Sequence, residues 1–127
     1  MGNWLTASGV SGFLAVAFGA FGAHGLQARL ADAADGAKRL GWWQTAAHYQ
    51  LVHALALAAV ALLLARVPQA RFAGFGCVLG SVLFSGSLYV MALGGPRWLG
   101  AVTPLGGLGF LAGWAVLAWC GVVLGRG

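Results

Sequence analysis

Four stretches of this chain are almost wholly apolar and contain no Asp, Glu, Lys or Arg: Trp4–Leu26, Thr45–Ala65, Phe72–Gly94 and Pro104–Gly125. At about 1.5 Å of rise per residue, a helical run of ~21–23 residues crosses a hydrocarbon core of about 30 Å. The nine charged residues all fall between or after the runs. Hydrocarbon offers no partner for a free backbone N–H or C=O, so spanning runs of this length are helices. The predicted fold class is therefore all-α, an integral membrane four-helix bundle forming a single domain over residues 1–127. Composition agrees, with 61% hydrophobic and 7% charged residues, too little polar surface to face water.

The net charge of +5 comes from basic residues scattered between the runs, with no basic patch. Nucleic acid is thereby set aside as a partner, and membrane lipids with anionic headgroups are the expected one. Pro68 and Pro96 sit in connections, and Thr103-Pro104 reads as a helix cap followed by proline in the first turn. No basic residue precedes the first run, which argues against a cleaved signal peptide. MGNWLT fits the loose myristoylation pattern, but a span beginning at Trp4 makes a lipid anchor redundant. The long connection Gln27–Gln44 places Leu26, Leu30, Ala33, Ala37 and Leu40 at helical spacing, with Asp35 four residues before Arg39. That pattern predicts a short interfacial helix over about 28–40, with Trp42 and Trp43 at the membrane surface.

Four spans put both termini on one side, B, together with the Arg66–Arg71 loop; the first and third connections share side A. Side A carries Arg29, Lys38, Arg39 and Arg97, and side B carries Arg66, Arg71, Arg126 and the terminal amine, so charge counting gives a tie. Polar residues break the symmetry. His24 lies near the A end of the first span, and Thr45, His48, Tyr49, Gln50 and His53 occupy the A half of the second. Ser85, Ser87 and Tyr89 lie on the A side of the third, with Ser81 near its centre, and Thr103 opens the fourth on side A. Buried polar groups in lipid are costly unless bonded, so these side chains are expected to converge in a polar half above a dry one. Small residues at four-residue spacing (Ala15/Gly19, Gly76/Gly80, Gly109/Gly113, Gly121/Gly125) let backbones approach, within the bundle or toward a homo-oligomer or partner membrane subunit.

Four motifs carry a resemblance: GAFGAH at Gly19–His24, WQTAxxYQxxH at Trp43–His53, LFSGSLY at Leu83–Tyr89 and TPxGGxxFxxGW at Thr103–Trp114. In this order they closely resemble the YgdD/YwdK-type family of small four-span bacterial inner-membrane proteins and its mitochondrial, transmembrane-protein-256-like relatives, a domain of unknown function. The resemblance covers nearly the whole chain. It implies His24, Tyr49, Gln50, His53, Ser85, Ser87, Tyr89, Thr103 and Pro104 as motif positions, a multi-pass inner-membrane location, and termini on the cytoplasmic side. It implies no activity.

The residues themselves give little chemistry. No carboxylate lies within a span, so paired-acid catalysis is not available, and a Ser–His pair without an orienting acid is a weak hydrolase signal. His48 and His53 are five residues apart, about 140° around a helix, and do not share a ligand easily. The reading is of a non-enzymatic structural or accessory bundle with a polar half-membrane cluster formed by His24, Tyr49, Gln50, His53, Ser85, Ser87, Tyr89 and Thr103, with no catalytic residue, metal or cofactor. Two alternatives stay open. One is binding or transport of a small molecule or ion through a side-A vestibule, in an oligomer. The other is a redox accessory holding haem through His24 or His53, or a quinone beside Tyr49 or Tyr89. The purified protein is predicted to show no haem bands in its absorption spectrum and no stoichiometric transition metal by elemental analysis; a haem spectrum would promote the redox alternative.

Overall fold

The computed structural model describes residues 1–127 as four helices and their short connections, without strands. We label the helices α1 (Gly2–Leu30), α2 (Gly36–Leu63), α3 (Ala70–Ala92) and α4 (Arg97–Gly125); all four are long and apolar enough to cross a membrane. Helix α1 contains a π-helical turn at Gly22–Leu26 and α3 another at Ser81–Ser85, while α4 begins with a 3-10 turn at Arg97–Ala101.

Helices α2 and α3 form the centre. Against them, α1 packs on α2 and reaches α3 through Trp4 on Phe75 and Phe18 on Tyr89, while α4 packs on α3 and reaches α2 at His53. The α3–α4 crossing is set by glycine. A Cβ on Gly76 would lie 2.7 Å from the Gly109 oxygen and 2.9 Å from the Gly113 nitrogen, and one on Gly109 would lie 3.2 Å from the Gly80 nitrogen. Both backbones thus approach closer than side chains allow, and dispersion between them holds the pair. Gly19, Gly121 and Gly125 behave differently, since a Cβ there meets nothing within 4 Å.

The B end is dry, with Val60, Val67, Ala70, Ala73 and Cys120 packed beneath Trp4, Leu63, Leu64, Val116 and Leu117. The A end is held by polar groups. Arg39 Nε donates to the Ala92 carbonyl at 2.9 Å, capping α3, and Asp35 pairs with Arg97 at 2.6 Å and with Arg39 at 3.7 Å. Past Ala92 the chain turns at Gly94 (φ 96°), where Gly95 N–H bonds Val90 O at 2.8 Å and Gly94 N–H bonds Met91 O at 3.0 Å, a Schellman closure that needs the left-handed residue.

The interfacial helix expected over 28–40 is not a separate element. Helix α1 continues to Leu30, the chain turns over residues 31–35, and α2 begins at Gly36. Leu26, Leu30 and Leu40 recur at helical spacing because they belong to two packed helices, meeting around Trp43 and Ala92. Gly36 makes the reversal possible, because a Cβ there would collide with the Leu30 carbonyl.

Gly76→Ala is expected to lower stability by about 1–3 kcal/mol, since backbone on both sides must move. Gly121→Ala, which meets nothing, is expected to stay within about 0.5 kcal/mol of the parent. Thermal melting of both variants in one detergent measures the difference.

Candidate functional site

The bonded polar side chains of the A half are placed by the helices into four separate groups along the helix interfaces. Between α2 and α3, Ser85 is 1% exposed and donates to the Ala46 carbonyl at 2.8 Å. Joining α1, α2 and α3, Gln50 donates from Nε2 to Ser11 O at 3.1 Å and accepts the Tyr89 hydroxyl at Oε1, 2.7 Å away. The Tyr89 ring stands edge-on to Phe18 and Trp43, and the Trp43 indole donates to Phe18 O at 2.6 Å. That indole fits only because Gly22 has no side chain: a Cβ would lie 2.5 Å from Trp43 Cδ1. Between α3 and α4, the Ser87 and Thr103 oxygens lie 2.6 Å apart, so one hydroxyl donates to the other and the accepting hydroxyl donates to its own nearby carbonyl, Phe84 O for Ser87 or Leu99 O for Thr103.

His53 occupies the α2–α4 interface, 3% exposed. Its Nδ1 lies 2.6 Å from the Tyr49 carbonyl, and its Nε2 lies 3.0 Å from the Trp114 indole nitrogen. A carbonyl only accepts and an indole N–H only donates, so the partners assign the hydrogen to Nδ1 and leave Nε2 as the acceptor. The ring lies flat on Phe110, centroids 3.5 Å apart at 11°. Both nitrogens and one face of the imidazole are thereby occupied.

Two of the expected residues stand apart. His24 is exposed and makes no side-chain hydrogen bond, so it does not bond to the second or third span. In its π-helical turn the inward positions are Gly22 and Leu26, both buried, and His24 lies between them on the other face. Tyr49 is 41% exposed; its ring packs on Phe84 at 4.6 Å, but its hydroxyl has no partner. Ser81, Ser85 and Tyr89 stand at four-residue spacing, which would align them on one face of a regular α-helix, but the second π-helical turn interrupts that face. Ser85 faces α2, whereas Ser81 lies along the α1–α3 side with its hydroxyl buried and unbonded. Sequence reasoning did not single out Trp114, Phe110 and Phe84, although all three are motif letters. The available signal was the indole N–H of a tryptophan near the middle of a span, which needs an acceptor.

Instead of a polar vestibule on side A, the surface has open grooves along the helices. One of about 360 Å³ runs between α1 and α3 over Gln50 and Tyr89, and one of about 350 Å³ between α2 and α4 over Tyr49 and His53. A third hollow on the A face, about 370 Å³, is bordered by Trp42, Leu88, Met91 and Arg97, and of the expected cluster only Thr103 reaches it. The vestibule does not form because Ala46, Leu88 and Met91 fill the space between α2 and α3 at that end. No three His, Cys, Asp or Glu side chains gather as a metal site, and Cys77 and Cys120 are buried free thiols.

The chain belongs to the family described as "Protein of unknown function (DUF423)", which matches residues 18–107. It is 44% identical over 115 residues to the "UPF0382 inner membrane protein YgdD" of Escherichia coli strain K12, covering 89% of this chain and 84% of that one. It is 44% identical over 105 residues to the "UPF0382 membrane protein SH2409" of Staphylococcus haemolyticus, 82% of each chain. A "UPF0382 membrane protein" of Haemophilus influenzae is 43% identical over 118 residues, 92% of this chain and 91% of its own. No solved structure matches. The resemblance read from the four motifs is thus confirmed, and the family carries no assigned activity.

Replacing His53 tests how its bonds contribute. His53→Gln keeps a donor and an acceptor and is expected to cost about 1 kcal/mol, whereas His53→Leu strands the Trp114 N–H and costs about 2–3 kcal/mol. Detergent melting curves rank the two; equal, large losses would mean that ring shape against Phe110 is what the site requires.

Proposed function

We propose that this member of the family is a non-enzymatic accessory bundle of the bacterial inner membrane, whose polar half serves helix packing and whose outer faces serve a partner. The observation that carries this reading is His53, the buried histidine of the polar half, whose two nitrogens are already bonded to Tyr49 O and Trp114 N–H, leaving that imidazole no free nitrogen to act as a base. The only carboxylates support it as well, since Asp32 and Asp35 lie in the side-A turn and Asp35 is engaged by two arginines. Helices α1 and α4 are the sparsely covered ones, and the Ala15/Gly19 and Gly121/Gly125 pairs leave Gly19, Gly121 and Gly125 facing open space. Such faces suit close backbone packing against a second copy or another membrane subunit.

The reading includes termini on the cytoplasmic side. Its support is the family resemblance, since the count of basic residues on the two sides is a tie.

Cross-linking in native membranes, followed by purification, tests the accessory role. The expected result is a defined homo-oligomer or hetero-complex that Gly19→Leu or Gly121→Leu disrupts without changing the melting of the isolated chain. A chain recovered only as a monomer would count against the reading. For orientation, a reporter fused after Arg126 is expected to report cytoplasm, and Asp32→Cys to react with an impermeant thiol reagent from outside; the opposite labelling would invert the assignment.

A further inference from the structure

Positive charge is left over at one place on the A face. Side A carries Arg29, Lys38, Arg39 and Arg97 against Asp32 and Asp35, an excess of two positive charges. Asp35 is taken up by Arg39 and Arg97, and Lys38 pairs with no carboxylate. Lys38 Nζ lies 5.5 Å from the centre of the Trp42 ring and Arg97 Cζ 4.8 Å from it, so the two cations stand within about a Debye length (~10 Å at 0.1 M salt) of each other. The ring attracts both but leaves their mutual repulsion in place. An anion beside them relieves it. Both residues are exposed, and Arg97 spends one nitrogen on Asp35 while the other N–H donors of its fork stay free.

Trp42 and Arg97 border the A-face hollow of about 370 Å³, together with the buried Leu88 and Met91. That hollow and the α2–α4 groove lie along one seam. On α2, Trp42, Tyr49 and His53 stand at i, i+7 and i+11 on a single helix face, the first in the hollow and the other two in the groove. On α4, Thr103 borders the hollow and Pro104, next in the chain, borders the groove. From Trp42 to His53 the seam runs ~16 Å at 1.5 Å per residue, close to the depth of one leaflet of a ~30 Å core. Away from the cations its walls are largely apolar, with Phe84, Leu108, Phe110 and Leu111 among them.

We propose that this seam binds one anionic glycerophospholipid of the side-A leaflet, its phosphate against Arg97 and Lys38 and one acyl chain running down the α2–α4 groove. Charge complementarity selects the occupant. A zwitterionic lipid brings no net charge to the excess cations, whereas an anionic one does, and a guanidinium fork suits a phosphate. A soluble anion would leave the apolar groove unused. A second copy of this chain, docked here about a two-fold axis, would bring the same cations to the same face.

The full chain in mild detergent is titrated with phosphatidylglycerol or with phosphatidylcholine of the same acyl chains. Native mass spectrometry counts the bound lipid, and the melting temperature is recorded alongside. Saturable binding of one phosphatidylglycerol per chain is expected, with a raised melting temperature and with phosphatidylcholine about tenfold weaker. Lys38→Gln breaks no ion pair and is expected to weaken binding about fivefold, and Lys38→Glu about 25-fold, with little change in the melting of the lipid-free chain. Arg71→Gln, on side B, is expected to bind as the parent does. Gly107→Leu is expected to abolish binding, since a Cβ there meets only Phe84 at 3.9 Å and the larger side chain fills the groove without moving backbone. Millimolar glycerol phosphate is expected not to displace the lipid. The proposal is overturned if no lipid is retained, if phosphatidylcholine binds equally, or if Lys38→Glu or Gly107→Leu binds as tightly as the parent. Displacement by glycerol phosphate would also overturn it, because the cations would then serve a soluble anion.

Discussion

Hydrocarbon penalises an unpaired polar group, and the bundle answers that constraint mostly with backbone carbonyls. Ser8 bonds Ala54 O, Ser85 bonds Ala46 O, Gln50 bonds Ser11 O and Trp43 bonds Phe18 O, each a side chain of one helix reaching the backbone of its neighbour. Those oxygens accept within their own helices too, and a carbonyl has two lone pairs. Reaching the second one requires that no bulky side chain stand in the way. The small residues and the polar residues therefore serve one arrangement: Ala46 and Ala54 expose their carbonyls, and Gly22 admits the Trp43 indole. Each bond contributes only about 0.6 kcal/mol on average in such bundles, yet together they permit one rotation of each helix and exclude the others.

The two ends of the molecule are held by different forces. At the B end, Val60, Val67, Ala70, Ala73 and Cys120 contribute packing alone, which salt does not weaken. At the A end, Asp35 bridges Arg39 and Arg97 while Arg39 caps α3 through Ala92 O, so one carboxylate ties together the starts of α2 and α4 and the end of α3. Lys38 and Arg97 lie over the Trp42 ring at 5.5 and 4.8 Å, placing charge where the helices leave the hydrocarbon. Surface ion pairs of this kind are individually weak and are screened by salt.

The all-helical membrane fold was legible because charge is excluded so completely from four runs of spanning length. Its partners were less so. The cost of unbonded polar groups in lipid placed Gln50, His53 and Ser85 inside the bundle but gave no means to see that their acceptors would include the Ser11, Tyr49 and Ala46 carbonyls, which sequence does not distinguish from any others. Two π-helical turns, at Gly22–Leu26 and Ser81–Ser85, shift the register in ways a 3.6-residue count does not anticipate; they turned His24 outward and split Ser81 from Ser85. Among 22 glycines, nothing in the sequence separated Gly76 and Gly109, which the α3–α4 crossing uses, from Gly121, which it does not. The hairpin between α1 and α2 was read as a surface helix because leucines on two antiparallel helices mimic the stripe of one.

The groove between α2 and α4 is flanked by the exposed side chains of Leu108 and Leu111, so it is open to the surrounding acyl chains. A molecule that enters it from the bilayer has already partitioned into the membrane, so its occupancy follows its mole fraction among the lipids and not its aqueous concentration. Encounter is a search in two dimensions within a thin sheet, and acyl chains compete for the same space at very high local abundance. Under those conditions, apolar contact by itself confers little preference, because the lipid being displaced offers nearly as much. Discrimination within the groove falls to shape.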